Sequence, residues 1–196
     1  MAKGRPREFD IDEALGKAMF VFWQRGFEGT SVSDLTEAMG ISRPSLYAAF
    51  GNKETLFRLA LDRYAEKGPG AVQRAALQEP TARRVVEMLL RGAAEGLTDP
   101  CHPAGCLAVQ GALSCGEASE AIKSELTARR CAGEAELRRR LERARSEGDL
   151  PPDSDPSALA RYVATVLQGM SVQAAGGASK QELLDVAELA LRSWPA

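Results

Sequence analysis

The chain has 196 residues, of which 44% are hydrophobic and 27% charged, and its formal net charge is −2. This balance is typical of a globular protein and excludes a disordered, collagen-like or disulfide-scaffold chain. No apolar run is long enough to span a membrane, and no apolar segment follows the basic N-terminus as in a secretory signal. We therefore expect a cytoplasmic protein without a membrane partner, whose four cysteines are reduced.

Four helices are predicted in the first third of the chain. Apolar residues recur at helical spacing from Ile11 to Phe22, and Gly26 ends that segment. A capping-box pattern at Ser31 begins a short second helix that stops at Gly40. Further caps follow for a third and a fourth helix, at Ser42 and Asn52.

The rest of the chain also has helical patterns. Segments are expected around residues 85–93, 107–113 and 122–141, the last with an interruption at Gly133, then from Asp155-Pro156 and from Leu183 to Trp194. No strand pattern is present in the sequence, so the predicted fold class is all-α. All six Phe precede residue 58 and all four Cys follow residue 100. We therefore predict two domains, residues 1–67 and 68–196, which join near Gly68-Pro69-Gly70.

Residues 31–50 predict a helix-turn-helix, because two short helices flank a tight Gly-Ile-Ser turn. Such a motif presents its second helix to the major groove of DNA. Arg43 is long enough to contact a guanine edge, and Pro44 offers an apolar face to a thymine methyl group. The other predicted DNA-binding residues supply hydroxyl or ammonium groups for bases or phosphates, and they are Thr30, Ser31, Ser42, Ser45, Tyr47 and Lys53.

The local charge supports this interpretation better than the total charge. Residues 38–53 contain Arg43 and Lys53 but no acidic residue, and residues 1–7 contain Lys3, Arg5 and Arg7 without an acid. Attraction to phosphate is local, so these two stretches favour contact with a DNA backbone. The first seven residues are predicted to form an arm that follows the backbone or enters a minor groove.

The same stretch resembles the TetR family of bacterial transcriptional regulators. The family pattern Ala-Gly-Val-Ser-x-Gly-x-Leu-Tyr-x-x-Phe corresponds here to residues 38–50, with Met39 as an additional residue between the Ala and the Gly. Lys-Glu-x-Leu follows at residues 53–56. Pro44 stands where the family often has Gly, and this is expected to alter base preference. The specific resemblance covers about residues 8–60. It implies a three-helix DNA-binding domain, a helical C-terminal domain that binds an unknown small effector, and a homodimer formed by the last two helices on a palindromic operator.

The second candidate site is a cysteine cluster. Cys101, His102, Cys106 and Cys115 lie within 15 residues, and His102 is the only histidine. A zinc or copper site, a Cys-His nucleophile and a Cys101–Cys106 disulfide are possible interpretations, although the spacing matches no strong metal template. We predict no metal, no cofactor and no catalytic residue. Cys131 and Cys115 are expected to pack on helices.

Cys106 is the main candidate among the thiols. Its predicted position in the first turn of a helix favours the thiolate, and Gly105-Cys106-Leu107-x-Val109 resembles a motif in a TetR subgroup. That resemblance implies a sensor of oxidants or electrophiles. The alternative is that Cys106 is a small buried apolar residue. For the whole chain, a cysteine-dependent enzyme and a helical dimerisation module that ignores DNA are the competing functions.

Overall fold

The structure is a computed structural model that describes residues 9–113 and 119–195. These residues form ten helices: α1 (Ile11–Arg25), α2 (Val32–Met39), α3 (Arg43–Phe50), α4 (Lys53–Lys67), α5 (Pro69–Ala76), α6 (Ala82–Leu97), α7 (Leu107–Leu113), α8 (Glu120–Ser146), α9 (Pro156–Ala175) and α10 (Lys180–Arg192). No strand occurs in the described ranges. The all-α prediction is therefore confirmed.

The caps predicted from sequence begin the N-terminal helices. The side chains of Ser31, Ser42 and Asn52 accept hydrogen bonds from the backbone of Asp34, Ser45 and Thr55. These bonds satisfy N–H groups that the first turn of a helix leaves without a partner. The polar cap residues therefore fix where α2, α3 and α4 begin.

Two hydrophobic clusters divide the interior. One is built on α1–α4 around Phe22, Leu46 and Phe57, and it extends to Ile122 and Leu126 of α8. The other is built on α6, α8, α9 and α10. Cys106 packs against both clusters. The loop before α7 therefore lies where the two parts of the molecule meet.

One helix was not predicted and two local expectations were wrong. The segment after Gly68 is a helix, α5, because Pro69 stands in its first turn, where proline is tolerated. Helix α8 runs through Gly133 without a break, and the amide of Gln73 on α5 donates to the Gly133 carbonyl at 3.3 Å. A Cβ at Gly133 would lie 3.2 Å from that amide, so the glycine admits a close helix contact. Cys131 is exposed on α8 rather than packed.

Within the part of the chain that the structure describes, no helix is long and apolar enough to cross a bilayer. The predicted domain boundary at residue 67 lies between the end of α4 and the start of α5, and it stays a prediction.

Candidate nucleic-acid interface and cysteine site

The turn between α2 and α3 holds the two helices at a fixed angle. Gly40 has φ 68°, a left-handed conformation that glycine adopts readily, and Ile41 N–H donates to the Thr36 carbonyl at 3.1 Å. Leu35 of α2 and Leu46 of α3 are fully buried in the same cluster. The apolar side of α3 is thereby fixed, and its other side is set outward.

The outward side of α3 carries the candidate base-contacting residues. Arg43, Pro44 and Tyr47 are exposed, and Tyr47 retains 46% of its accessible surface. Arg43 forms no ion pair with any residue in the described ranges, so its guanidinium is available to a ligand. Ser45 is half-buried, and its hydroxyl lies 2.8 Å from that of Ser42. Ser42 therefore caps the helix, and the two serine hydroxyls contact each other.

The N-terminus of α2 is occupied by its own cap. Ser31 and Asp34 form a reciprocal capping box, and Arg25 donates to Asp34 at 2.6 Å. Hydrogen bonds from Ser31 and the nearby Arg25 lower the pKa of Asp34 to about 2. The carboxylate is thus charged at neutral pH, and Arg25 offsets part of its repulsion of a phosphate.

Thr30 does not lie on this surface. Its side chain is buried, at 1% exposure, and its hydroxyl donates to the Gly26 carbonyl at 2.7 Å. A phosphate contact by this hydroxyl, as predicted from sequence, does not fit that placement. Adjacency to the cap at Ser31 suggested exposure, but the Gly26 turn brings Thr30 inward.

Lys53 is the first residue of α4 and lies beside an aromatic ring. Its Nζ is 4.4 Å from the centroid of Phe27. Partial burial lowers the pKa of Lys53, while Glu28 nearby acts in the opposite direction. The predicted arm residues Lys3, Arg5 and Arg7 lie outside the described residues.

Cys106 precedes α7 rather than lying in its first turn. The Cys106 carbonyl accepts the N–H of Gln110 at 3.0 Å, and its own N–H donates to Ser171 Oγ on α9 at 2.8 Å. The preceding carbonyl, of Gly105, accepts the indole N–H of Trp23 on α1 at 3.1 Å. Gly105 has φ +86°, and a Cβ there would clash with the Gln110 side chain. The Cys106 loop is therefore hydrogen-bonded both to α1 of the N-terminal part and to α9 of the C-terminal part.

The phenol of Tyr64 on α4 completes this site. Its ring packs edge-on against Trp23 with centroids 4.8 Å apart, and its hydroxyl faces the Cys106 thiol. Burial raises the pKa of Tyr64 well above its ordinary value, and the neighbouring thiol raises it further. Trp23, Tyr64 and Ser171 were not predicted at this site, because each is far from Cys106 in the chain.

The other members of the cysteine cluster do not converge on a metal. Cys101, Cys106 and Cys131 are free thiols, and no group of three His, Cys, Asp or Glu side chains within residues 9–113 and 119–195 could hold an ion. His102 stacks on Trp23 with centroids 4.5 Å apart. The Asp99 carboxylate raises the pKa of Cys101. Cys115 lies outside the described residues.

A wide cleft lies on the C-terminal part, between α6 and the turn that joins α9 to α10. Its volume is about 1040 Å³, and Met88, Gly92, Ala174 and the Lys180–Glu95 ion pair are among its walls. The described residues that line it include no aromatic side chain. Its chemistry suits a small or aliphatic ligand with a polar group.

Two family models divide the chain between them. Residues 14–60 match the model described as "Bacterial regulatory proteins, tetR family", and residues 81–188 match "Tetracyclin repressor-like, C-terminal domain". This chain belongs to the TetR family. The resemblance deduced from residues 38–56 is confirmed, as is the pairing of a helix-turn-helix domain with a helical C-terminal domain.

Relatives of known role support the same assignment within the TetR family. The chain is 38% identical over 196 residues to the HTH-type transcriptional repressor ComR of Escherichia coli, covering 99% of this chain and 93% of ComR. It is 31% identical to the repressor BdcR of the same organism, with coverage of 95% and 90%. A solved structure of a cysteine-substituted CifR, a TetR family regulator bound to 26-bp operator DNA, is 48% identical with a TM-score of 0.94. That match covers 98% of this chain and all of the CifR chain.

Proposed function

We propose that this protein is a transcriptional repressor that binds a palindromic operator as a homodimer, and that a small effector or modification of Cys106 releases it. The observation that carries the proposal is the outward face of α3, with Arg43, Pro44 and Tyr47 exposed on a helix pinned by buried Leu46. A short helix held in this way suits the major groove, whose base edges carry a distinct pattern of donors and acceptors.

The contact roles follow from side-chain chemistry. Arg43 would donate two hydrogen bonds to a guanine, and Pro44 would contact a thymine methyl group. Tyr47, Ser31 and Lys53 would bind phosphates and set the register of the helix on DNA. Ser42 and Ser45 would break their mutual contact to reach a base or a phosphate.

Dimerisation through the last two helices is supported by apolar residues on their outer faces. Val172 on α9 and Val186 and Leu189 on α10 are exposed, and Leu189 keeps 64% of its surface. Exposed apolar residues on two neighbouring helices are typical of an interface. A two-fold axis between these helices would set the two α3 helices about 34–36 Å apart, one turn of DNA, or somewhat more.

A regulator fits the Cys106 site better than a cysteine-dependent enzyme does. The groups that face or hold Cys106 are a protonated phenol and a serine hydroxyl bonded to its backbone. Repeated turnover on a carbon substrate needs a base beside the cysteine, and His102 instead stacks on Trp23 with its Nδ1 3.2 Å from the Pro103 carbonyl. A helical module that only dimerises is disfavoured by the exposed, acid-free α3.

The experiment is a selection of bound fragments from a random-sequence DNA pool, followed by gel shift across a range of salt concentrations. A two-fold symmetric consensus whose binding weakens steeply with salt is expected. A purified dimer that enriches no sequence, or whose binding is indifferent to salt, contradicts the proposal.

A further inference from the structure

The hydroxyl group of Tyr64 is buried and has no hydrogen-bond partner among the described residues. Tyr64 is only 6% exposed, and its ring is fixed against Trp23. Folded proteins seldom keep such a group, because burying an unsatisfied hydroxyl costs free energy. A phenylalanine would fill the same space without that cost, so the hydroxyl requires a reason.

The hydroxyl is directed at the half-buried thiol of Cys106 and at the backbone of Leu107. A thiol sulfur is a weak acceptor, which explains why the phenol is near it without a good hydrogen bond. Burial keeps the pKa of Tyr64 high, so the phenol holds its proton and can donate at any physiological pH. The pair is therefore a good donor beside a weak acceptor.

We propose that Tyr64 is the donor that stabilises an oxygen atom added to Sγ of Cys106, which makes the two residues a sensor of hydroperoxides. The inference rests on the proposed function for its consequence at DNA. Beyond that function, it assigns the class of oxidant and the residue that donates a hydrogen bond to the oxidised thiol.

The chemical step is a two-electron oxidation of the thiol. Sγ attacks one oxygen of hydrogen peroxide, the S–O bond forms and the O–O bond breaks. The sulfur loses two electrons to the peroxide, and the thiol proton passes to the departing hydroxide, which leaves as water. The product is a sulfenic acid, whose oxygen accepts a stronger hydrogen bond than the thiol sulfur can.

Cys106 is better suited to this role than the other described thiols. Cys101 is exposed, and the Asp99 carboxylate raises its pKa and so disfavours its thiolate. Cys131 is exposed on α8. Among the described residues, the buried hydroxyl without a hydrogen-bond partner is that of Tyr64, and it lies beside Cys106.

The position of Tyr64 links this chemistry to the DNA-binding residues. Tyr64 lies on α4, whose first residue is Lys53, and the rise of a helix puts the two about 16 Å apart along its axis. Trp23 of α1 and Ser171 of α9 bond to the carbonyl and to the N–H of the same peptide group, Gly105–Cys106. A new bond between Tyr64 and oxidised Cys106 therefore acts on α4 directly, while the loop stays attached to α9.

The test compares the full-length reduced wild type with Tyr64→Phe, using Tyr162→Phe as a matched control. The control substitution also removes a phenol hydroxyl, but that hydroxyl is exposed and contacts Ser193, far from Cys106 in the chain. Each protein receives one equivalent of hydrogen peroxide, and dimedone is added after increasing delays. Fragment mass spectra then measure the sulfenic acid at Cys106. We expect its lifetime to fall roughly fivefold in Tyr64→Phe and to be unchanged in the control.

Equal lifetimes in the wild type and Tyr64→Phe, or no trapped sulfenic acid at Cys106 in the wild type, would overturn the proposal. Thermal unfolding gives an independent arm: reduced Tyr64→Phe should melt no lower than the wild type, and a clearly lower Tm would show that the hydroxyl was already bonded. Binding of the reduced proteins to selected DNA is measured in parallel. Failure there rejects the repressor function alone, because the trapping result does not depend on DNA.

Discussion

Trp23 of α1 donates its indole N–H to the carbonyl of Gly105, 82 residues further along the chain. The bond is buried and joins the helix that supports the DNA-binding domain to the loop that carries Cys106. Trp194 offers a natural comparison, because it is equally buried but its indole N–H has no partner among the described residues. Comparing the two tryptophans therefore separates the contribution of the buried ring to stability from the contribution of the hydrogen bond.

Trp23→Phe is expected to lower the free energy of unfolding by about 1–3 kcal/mol more than Trp194→Phe does, because only the first change leaves a buried carbonyl without its donor. Chemical denaturation of the reduced proteins measures both losses. Similar losses would mean that the Trp23 bond adds little to the stability. If the bond also transmits the state of Cys106, the DNA affinity of Trp23→Phe should respond less to hydrogen peroxide than that of Trp194→Phe.

The capping box at Ser31 predicts a pH dependence of stability. The pKa of Asp34 is lowered to about 2 in the folded protein, below its ordinary value of 3.8. A depressed folded-state pKa means that the stabilisation is complete above about pH 4 and is lost as the pH falls through 2. Asp34→Asn should therefore melt below the wild type at pH 7, and the gap should close toward pH 2.

Thermal melts from pH 7 to pH 2 measure that gap. Asp153→Asn, a change in the exposed loop before α9, is the control and should track the wild type throughout. A gap for Asp34→Asn that stays constant down to pH 2 would rule out the carboxylate as its source.

The N-terminal helices could be predicted because their capping bonds are local in the sequence. Contacts between residues far apart in the chain could not be predicted in this way. Ser31, Ser42 and Asn52 mark helix starts because their side chains bond within three residues. Helix α5 was missed because Gly68 and Pro69 also suit a linker. The surroundings of Cys106 depend on α1, α4 and α9 meeting at one loop, and no spacing in the sequence encodes that meeting.

Arg43 and Lys53 should have separable effects on DNA binding. Arg43→Ala removes a group suited to a base edge, so it should relax sequence preference at one operator position and cost about tenfold or more there. Lys53→Ala removes a phosphate contact, so it should weaken binding evenly across sequences and reduce the salt slope by about one. Lys53→Arg keeps the charge and controls for the loss of packing on Phe27.

Competition between the selected operator and single-base variants measures both effects. The assignment of roles would be wrong if both alanine variants relaxed preference at the same position, or if neither changed it.

Leu189 tests the homodimer directly. It is the most exposed of the large apolar residues in the described ranges, at 64%, and lies on α10 near Val186. A charge there would have to be buried without a partner if α10 forms the dimer interface, and that cost opposes association. Leu189→Glu should therefore shift the protein toward monomer in sedimentation velocity, and DNA binding should weaken with it, since each monomer reads only one half-site. Leu59→Glu places the same charge on the partly exposed face of α4 and should leave the dimer intact. If Leu189→Glu sediments as the wild type does, this face of α10 is not part of the dimer interface.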